Sequence, residues 1–234
     1  MIFAAIFAGG IGSRMGGTEK PKQFLPLGGR PILVHTVERF LQAKQVDVLF
    51  VLTPTDWTDY TRDTIRQHLG DVPVAVIAGG ETRNDTLLCA IRHVYAHYPV
   101  DAQTILLTHD AVRPFVTVKM IDDNIEAVRQ CGACDTVIPA TDTIVHSADG
   151  EMIDDIPQRS ALYHGQTPQS FLLDELRRTV ESLTPEETQT LTDACKIYTV
   201  RGKRVRLVQG APTNIKITYA ADLAIAEAIW RTLQ

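Results

Sequence analysis

The stretch Ile2-Phe3-Ala4-Ala5-Ile6-Phe7-Ala8-Gly9-Gly10-Ile11-Gly12-Ser13-Arg14-Met15-Gly16-Gly17-Thr18-Glu19-Lys20-Pro21-Lys22-Gln23-Phe24-Leu25 sets a short apolar run directly against a bare glycine loop and a group of cations. Six apolar residues without alternation, Ile2–Phe7, read as a strand buried on both faces, as in the parallel sheet of an α/β protein. The loop then leaves the carboxyl end of that strand, the edge at which ligands of open α/β sheets collect. Gly9, Gly10 and Gly12 let backbone N–H groups approach an anion without Cβ obstruction, and Arg14, Lys20 and Lys22 can reach in to neutralise it. An ordinary βα turn with surface charges would explain the glycines alone. Glycines together with Arg14 and Lys22 favour a triphosphate site.

Two familiar phosphate loops do not fit the spacing. A dinucleotide fingerprint needs G-x-G-x-x-G, but after Gly10 and Gly12 the third glycine position holds Met15, and about 20 residues on stands Arg30, not a ribose-binding acid. A P-loop needs Gly-Lys-Ser/Thr at a fixed offset, and none follows Gly12.

Working outward, buried-strand signals recur at residues 2–7, 48–52, 74–78, 104–107 and 136–140, separated by helical patterns at 32–42, 60–69, 86–96 and 121–130. Alternation of this kind predicts an α/β three-layer sandwich on a mostly parallel, Rossmann-like sheet. After Ala140 the pattern changes. Residues 143–147 and 151–153 flank Asp149-Gly150, the signal of a β-hairpin. A two-stranded ribbon is marginal alone, so this arm, an insertion of about 141–160, is expected to pack on a second subunit and make a homodimer. Further helices are expected at 172–182, 193–200 and 220–233 and a strand at 205–208, with Gln166–Phe171 read only as the returning chain.

The 234 residues suffice for one domain, 1–234, with a full core. A hydrophobic share of 44% with no 18-residue apolar run argues against a membrane span, and a net charge of −5 argues against a nucleic-acid partner. Met1–Phe7 lacks a basic start and runs straight into the glycine loop, so it is read as a strand and not a signal segment, and the protein as cytoplasmic. Cys131-Gly-Ala-Cys134 has redox or half-zinc spacing. It has no second pair, and it falls at a helix end where no thiolate is stabilised, so reduced, packed thiols are expected.

Three further clusters carry chemistry. Gly79-Gly80-Glu81-Thr82-Arg83-Asn84-Asp85-Thr86 repeats the glycine-loop theme at the end of another strand; Glu81, Asn84 and Thr86 offer directional contacts to a base or ribose, although Thr82 or Asn84 as a plain helix cap would explain part of it. Asp110, in His109-Asp110-Ala111-Val112-Arg113, can contribute to a Mg²⁺ site with phosphate oxygens, or form a structural pair with Arg113; the two are compatible. Lys216 in Asn214-Ile215-Lys216-Ile217-Thr218, and Arg159 beyond the arm, are each ambiguous alone, and Arg159 could reach a partner's pocket across a dimer.

Together, Ala8-Gly9-Gly10 through Lys22, Gly79-Gly80, residues 109–114, Thr167-Pro168-Gln169 and residues 214–218 resemble the sugar-alcohol-phosphate cytidylyltransferases from end to end. Two branches share these motifs, one making CDP-ribitol for teichoic acid and one acting on methylerythritol phosphate in isoprenoid synthesis. Val112, the segment 165–171 and Asp193-Ala194 look more like the ribitol branch. The resemblance implies that Arg14 and Lys22 stabilise charge at the α-phosphate of CTP, and that Arg159 and Lys216 hold the acceptor phosphate. It also implies that CTP is bound by Phe7, Ala8, Gly9, Gly10, Gly80, Glu81, Arg83, Asn84 and Thr86, with Arg113 and Thr167 among the substrate-binding residues and Asp110 as the Mg²⁺ contact. Partners are then CTP, a polyol phosphate and a second subunit. A non-enzymatic nucleotide sensor would have no reason to keep both cation pairs, and an NAD-dependent oxidoreductase lacks its fingerprint here.

Overall fold

The computed structural model describes residues 1–10, 20–184, 186–187 and 193–233. Its centre is β1 (Ile2–Phe7), whose six residues are all buried. β1 pairs in parallel with β4 (Val48–Thr53) on one side and β6 (Ile105–Asp110) on the other, so that Phe7 lies opposite both Leu52 and Asp110. The complete sheet has seven strands in the order β5-β4-β1-β6-β8-β7-β9, where β5 is Val74–Ala78, β7 Ala133–Pro139, β8 Tyr163–Leu172 and β9 Arg206–Gln209. β8 runs antiparallel to both neighbours and the other pairings are parallel. The remaining strands, β2 (Pro26–Leu27) and β3 (Arg30–Pro31), form a small separate ribbon.

Alternate β1 residues explain the three layers. Ile2, Ala4 and Ile6 face a core shared with Leu33, Val37 and Phe40 of α1 (Ile32–Gln42), Ile65 of α2 (Thr58–Leu69), and Ile121, Ile125 and Val128 of α4 (Val118–Cys131). Phe3, Ala5 and Phe7 face the other core, with Leu87, Ile91 and Val94 of α3 (Arg83–His97), Leu176 of α5 (Leu173–Glu181), and Ile197 and Tyr198 of α6 (Ala194–Val200). Each such large side chain contributes roughly 1.5–3 kcal/mol when fully buried, so a polar residue in β1 would break the layer that its side chain faces. A third, smaller cluster places Leu27, Ile32, Val112, Phe115 and Ile217 under α7 (Ala220–Thr232).

Apart from the short β2–β3 ribbon, which was not expected, expected and observed elements agree closely except at two places. The first is β8. Its Gln166-Thr167-Pro168-Gln169-Ser170 run has the composition of a loop, yet it is a central strand. The polar side chains are buried because each finds a partner: Thr167 on His109, Gln169 on Asp135, Ser170 on Asn124, and Gln166 on the Ala211 carbonyl. Pro168, which cannot donate to a ladder, sits where the β7 register shifts between Asp135 and Val137.

The second is the arm. Instead of two paired strands closed by Asp149-Gly150, it has one antiparallel bridge, His146 to Asp155. Its tip is folded by Asp149, whose carboxylate accepts from Ser147 Oγ and from the backbone N–H groups of Glu151 and Met152. Side-chain turn chemistry has displaced the ladder that alternation predicted. Among the described residues no helix is long and apolar enough to cross a membrane.

Candidate active site

Gly9 and Gly10 leave β1 at the point where the chain has built strands to one side and then returns to the other, the switch point at which an α/β sheet opens a crevice. The chain re-enters this edge through the 3-10 turn Lys22–Phe24. Buried Gln23 donates from Nε2 to the Ala8 carbonyl at 2.6 Å, which ties the turn to the start of the glycine loop. The Lys22 stem therefore lies beside Gly10, whose missing Cβ would stand 3.6 Å from Lys22 Cε. Phe24 stacks on Trp57 at 5.3 Å and meets the edge of Tyr60, and Lys20 Nζ donates to Tyr60 Oη at 2.9 Å. The lysine segment is thus clamped to α2.

The second loop follows β5. A Cβ on Gly80 would fall 2.2 Å from that of Asp85, so only glycine permits the N-terminus of α3 to come this close. Thr82 caps α3, exchanging hydrogen bonds with Asp85 in a capping box, and Thr86 Oγ1 accepts from Gly80 N–H at 3.2 Å. The positive end of the α3 dipole and Arg83 consequently face the cleft. Arg83 lies over the Phe7 ring, 5.3 Å from its centroid.

Asp110, at the end of β6, forms the floor. Oδ1 is 3.6 Å from Arg83, while Oδ2 is 3.4 Å from Arg113 Nε and 3.0 Å from Lys216 Nζ. Burial alone would raise its pKa, but the Arg83, Lys216 and Arg113 charges together outweigh that and hold the carboxyl well below the usual range. Beneath it, Thr167 Oγ1 accepts from Asp110 N–H at 3.2 Å; His109 Nε2–H donates to the Arg113 carbonyl, which can only accept, so Nδ1 of the neutral ring accepts from Thr167 Oγ1 at 2.9 Å. Burial is the largest cause of the His109 pKa falling to about 4; the ring is a neutral strut.

Lys216 arrives on a strap between β9 and α7. Buried Asn214 donates from Nδ2 to Gln166 Oε1 and the Thr167 carbonyl, and its own carbonyl accepts from Arg113 at 2.8 Å. Ile217 then donates its N–H to the Val112 carbonyl at 2.9 Å and buries its side chain completely, which turns the neighbouring Lys216 toward Asp110. These segments enclose a cleft of about 390 Å³ lined by both glycine loops, Lys22, Arg83, Asp110 and Lys216. That is a pocket for a polyanion at the end of a parallel sheet.

Comparison with known proteins gives this geometry a family. Residues 2–232 match the family described as 2-C-methyl-D-erythritol 4-phosphate cytidylyltransferase, IspD. The chain belongs to the IspD cytidylyltransferase family. Among curated relatives, it is 45% identical over 229 residues to a ribitol-5-phosphate cytidylyltransferase of Lactiplantibacillus plantarum, covering 98% of each chain. Two solved structures of the same fold are similar over the whole chain. The 4-diphosphocytidyl-2C-methyl-D-erythritol synthase of Anaerococcus prevotii superposes with a TM-score of 0.81 at 27% identity, covering 98% of this chain and 96% of that one. The 2-C-methyl-D-erythritol 4-phosphate cytidylyltransferase of Thermus thermophilus does so with a TM-score of 0.73 at 26% identity, covering 99% and 100%.

Of the residues singled out from sequence, Phe7, Ala8, Gly9, Gly10, Lys22, Gly80, Glu81, Arg83, Thr86, Asp110 and Lys216 line this IspD-family cleft. Asn84 stands in the first turn of α3 beside it. Arg113 and Thr167 are buried beneath the floor, where their polar atoms serve Asp110, Asn214 and His109; they support the site from below. Arg159 lies outside the cleft at the base of the arm, donating to the Thr141 carbonyl at 3.1 Å. Arg14 and Gly12 lie outside the described residues. Gln23 and Asn214, which anchor the two lysine segments, were not singled out. Their signal was position alone: an amide next to Lys22, and one two residues before Lys216. All four cysteines are free. The C-x-x-C pair is divided between exposed Cys131 and buried Cys134, whose pKa burial pushes up to about 12.

The donor set fits a magnesium ion held mainly by nucleotide. Two carboxylate residues line the cleft, Asp110 on its floor and Glu81 in the second glycine loop, and among the described residues no three His, Cys, Asp or Glu side chains converge on a metal position. Mg²⁺ characteristically takes one or two carboxylates with substrate phosphates and water, so no protein cage is required.

Proposed function

We propose that this enzyme transfers CMP from CTP to D-ribitol 5-phosphate, giving CDP-ribitol and pyrophosphate, and that the product feeds teichoic-acid synthesis. The observation that carries the reaction type is the gathering of Lys22 and Lys216 in one cleft, each on a segment anchored by a buried amide, beside paired glycine loops. The 45% identical relative favours ribitol 5-phosphate over methylerythritol phosphate as acceptor.

The chemistry follows from charge. A phosphate oxygen of the acceptor forms a bond to the α-phosphorus of CTP as the bond to the β-phosphate oxygen breaks, and pyrophosphate leaves with its electron pair. The nucleophile is already anionic, so neither a protein nucleophile nor a strong base is needed. Repulsion between two polyanions is the barrier. Lys22, with Arg14, offsets charge at the α-phosphate; Lys216 and Arg159 align the acceptor phosphate; and the glycine-loop amides and the α3 terminus hold the nucleotide. Asp110 orients Lys216 through their 3.0 Å contact. Asp110 would also be the protein contact of Mg²⁺, which when bound supplies charge neutralisation to the triphosphate.

The arm suggests how Arg159 reaches a site. Val145, Met152, Ile153 and Ile156 are at least half exposed along it, an apolar surface that a monomer has no reason to present. A homodimer in which each arm covers its partner would bury them and carry Arg159 toward the partner's acceptor phosphate.

Pyrophosphate release from CTP with ribitol 5-phosphate and with methylerythritol 4-phosphate, measured side by side, tests the assignment. We expect kcat/KM for ribitol 5-phosphate to exceed the other by at least about 100-fold, the discrimination of a site that leaves polar groups unpaired with the wrong ligand. Preference for methylerythritol 4-phosphate would move the enzyme to the other branch, and release with neither would refute the reading.

A further inference from the structure

A row of polar side chains crosses the α3 face of the sheet just below the cleft, and one of its members has no part in the reaction described. Register places Thr108 of β6, Gln169 of β8 and Asp135 of β7 side by side. Directly opposed residues point to the same face, and Asp110 follows two residues after Thr108 on that face. Gln169 is 2% exposed. Its Nε2 donates to Asp135 Oδ1 at 3.1 Å, and its Oε1 accepts from Arg83 at 3.5 Å. The same guanidinium contacts Asp110 and covers the Phe7 ring at the cleft wall.

We propose that Gln169, oriented by the carboxylate of Asp135, is a positioning residue for Arg83 that holds the guanidinium against the cleft floor only while Asp135 acts as a hydrogen-bond acceptor. An amide has one acceptor end and one donor end. An ionised Asp135 can only accept, so it claims the NH₂ end and turns the oxygen toward Arg83. A protonated Asp135 can donate to the amide oxygen instead. The amide then turns its NH₂ toward Arg83, placing N–H groups against N–H groups, and the guanidinium loses the Gln169 hold and keeps only its Asp110 and Phe7 contacts.

The surroundings put this change within the working range. Burial is the largest influence on Asp135 and, with Asp193 at the cap of α6, raises its pKa to about 7, while Gln169, Arg83 and Arg113 act in the opposite direction. The Cys195 thiol faces the same region and the Cys134 thiol lies on the opposite face of β7 against Asn124; both stay neutral, since burial raises both.

The test is equilibrium binding of CTP without acceptor, by calorimetry from pH 6 to 8.5, for the wild-type enzyme, Asp135→Asn and Gln169→Met. In Asp135→Asn the introduced amide can present its own carbonyl to Gln169 at every pH. The terminal phosphate of the nucleotide titrates in the same window, so the quantity read is each variant's difference from wild type. We expect wild-type affinity to fall about fivefold relative to Asp135→Asn as the pH drops to 6, and Gln169→Met to bind weakly throughout without that differential. A pure charge effect has the opposite sign, because neutralising Asp135 makes the pocket more positive and would tighten the polyanion. Tightening, or parallel profiles for wild type and Asp135→Asn, overturns the proposal. Should a variant not fold, the Arg83 Nε–H resonance of the wild-type protein decides: sharp at pH 8.5 and broadened at pH 6 if Gln169 holds it, unchanged if not. The proposal rests on the nucleotide reading, and absence of CTP binding at any pH would refute that reading instead.

Discussion

Gly28 and Gly29 stand side by side in the β2–β3 turn, both with positive φ, of 55° and 81°. Only at one of them would a side chain collide. A Cβ on Gly28 would fall 2.1 Å from Trp230 Nε1 of α7, whereas one on Gly29 would meet nothing within 4 Å. The Gly28 N–H also donates to Glu227 Oε1 at 2.9 Å, and Trp230 packs edge-on against His35 at 4.5 Å. This turn therefore joins the segment carrying Lys22 to the helix that follows Lys216. Gly29→Ala should cost only the left-handed backbone term, about 1–2 kcal/mol. Gly28→Ala adds the displacement of a packed indole, about 1–3 kcal/mol more, for roughly 2–5 kcal/mol in all. In a chain of this size that lowers Tm by roughly 5–15 °C, against about 3–6 °C for Gly29→Ala. Thermal and urea unfolding of both variants measure the stability difference. Because Ile217 and Leu27 share the cluster under α7, steady-state assays should also show Gly28→Ala losing turnover while Gly29→Ala keeps it. Equal destabilisation by the two substitutions would refute the reasoning, since it would mean that the Trp230 contact does not hold the turn.

Lys22→Ala should lower kcat by about two orders of magnitude or more, the effect of removing a donor at developing charge, with the fold retained; a single-turnover assay at saturating CTP checks it. Asp135→Asn should change how stability depends on pH. The raised Asp135 pKa makes the folded state hold its proton between about 4 and 7, so this group's contribution falls as pH rises through that window; the depressed His109 pKa, about 4, makes its contribution rise with pH up to 6.5. The two oppose each other in the wild type. Removing Asp135 leaves the His109 slope, so urea denaturation should show the variant gaining about 3 kcal/mol relative to wild type between pH 5 and 8, and a constant difference would contradict the assignment. Finally, if Arg159 acts across a dimer, mixing inactive Arg159→Ala with inactive Lys216→Ala should restore one working site in each heterodimer, about a quarter of full activity at statistical mixing if both residues of a site come from different chains. No recovery would return Arg159 to its own subunit or to a structural role.

The layers of the fold were legible because β1 and its parallel neighbours are apolar on both faces, and composition alone marks such strands. β8 was not legible for the converse reason. Gln166, Thr167, Gln169 and Ser170 are buried by virtue of partners on other strands and helices, and no local pattern announces a hydrogen bond to His109, Asp135 or Asn124. The arm failed differently. Alternation at 143–147 describes a strand that needs a surface, and within the subunit only one bridge forms while the tip follows the local preference of Asp149.

The same distinction orders the site. Residues proposed to act by charge or by lacking a side chain, such as Lys22, Gly10 and Gly80, stand out within a glycine loop that follows a buried strand, whereas Lys216 is ambiguous until the strap is seen. Residues that act by holding another residue, such as Gln23, Asn214 and Gln169, are ordinary amides in ordinary surroundings until the sheet assembles. Yet they do related work: Gln23 ties the Lys22 turn to Ala8, Asn214 ties the Lys216 strap to β8, and Gln169 lies between Arg83 and Asp135. A long, flexible cation loses side-chain entropy on binding an anion, and an anchor on the segment that carries it lowers that loss before the substrate arrives. Replacing an anchor should therefore raise KM or lower kcat while leaving every charge in the cleft in place, which separates these amides from the cations they serve.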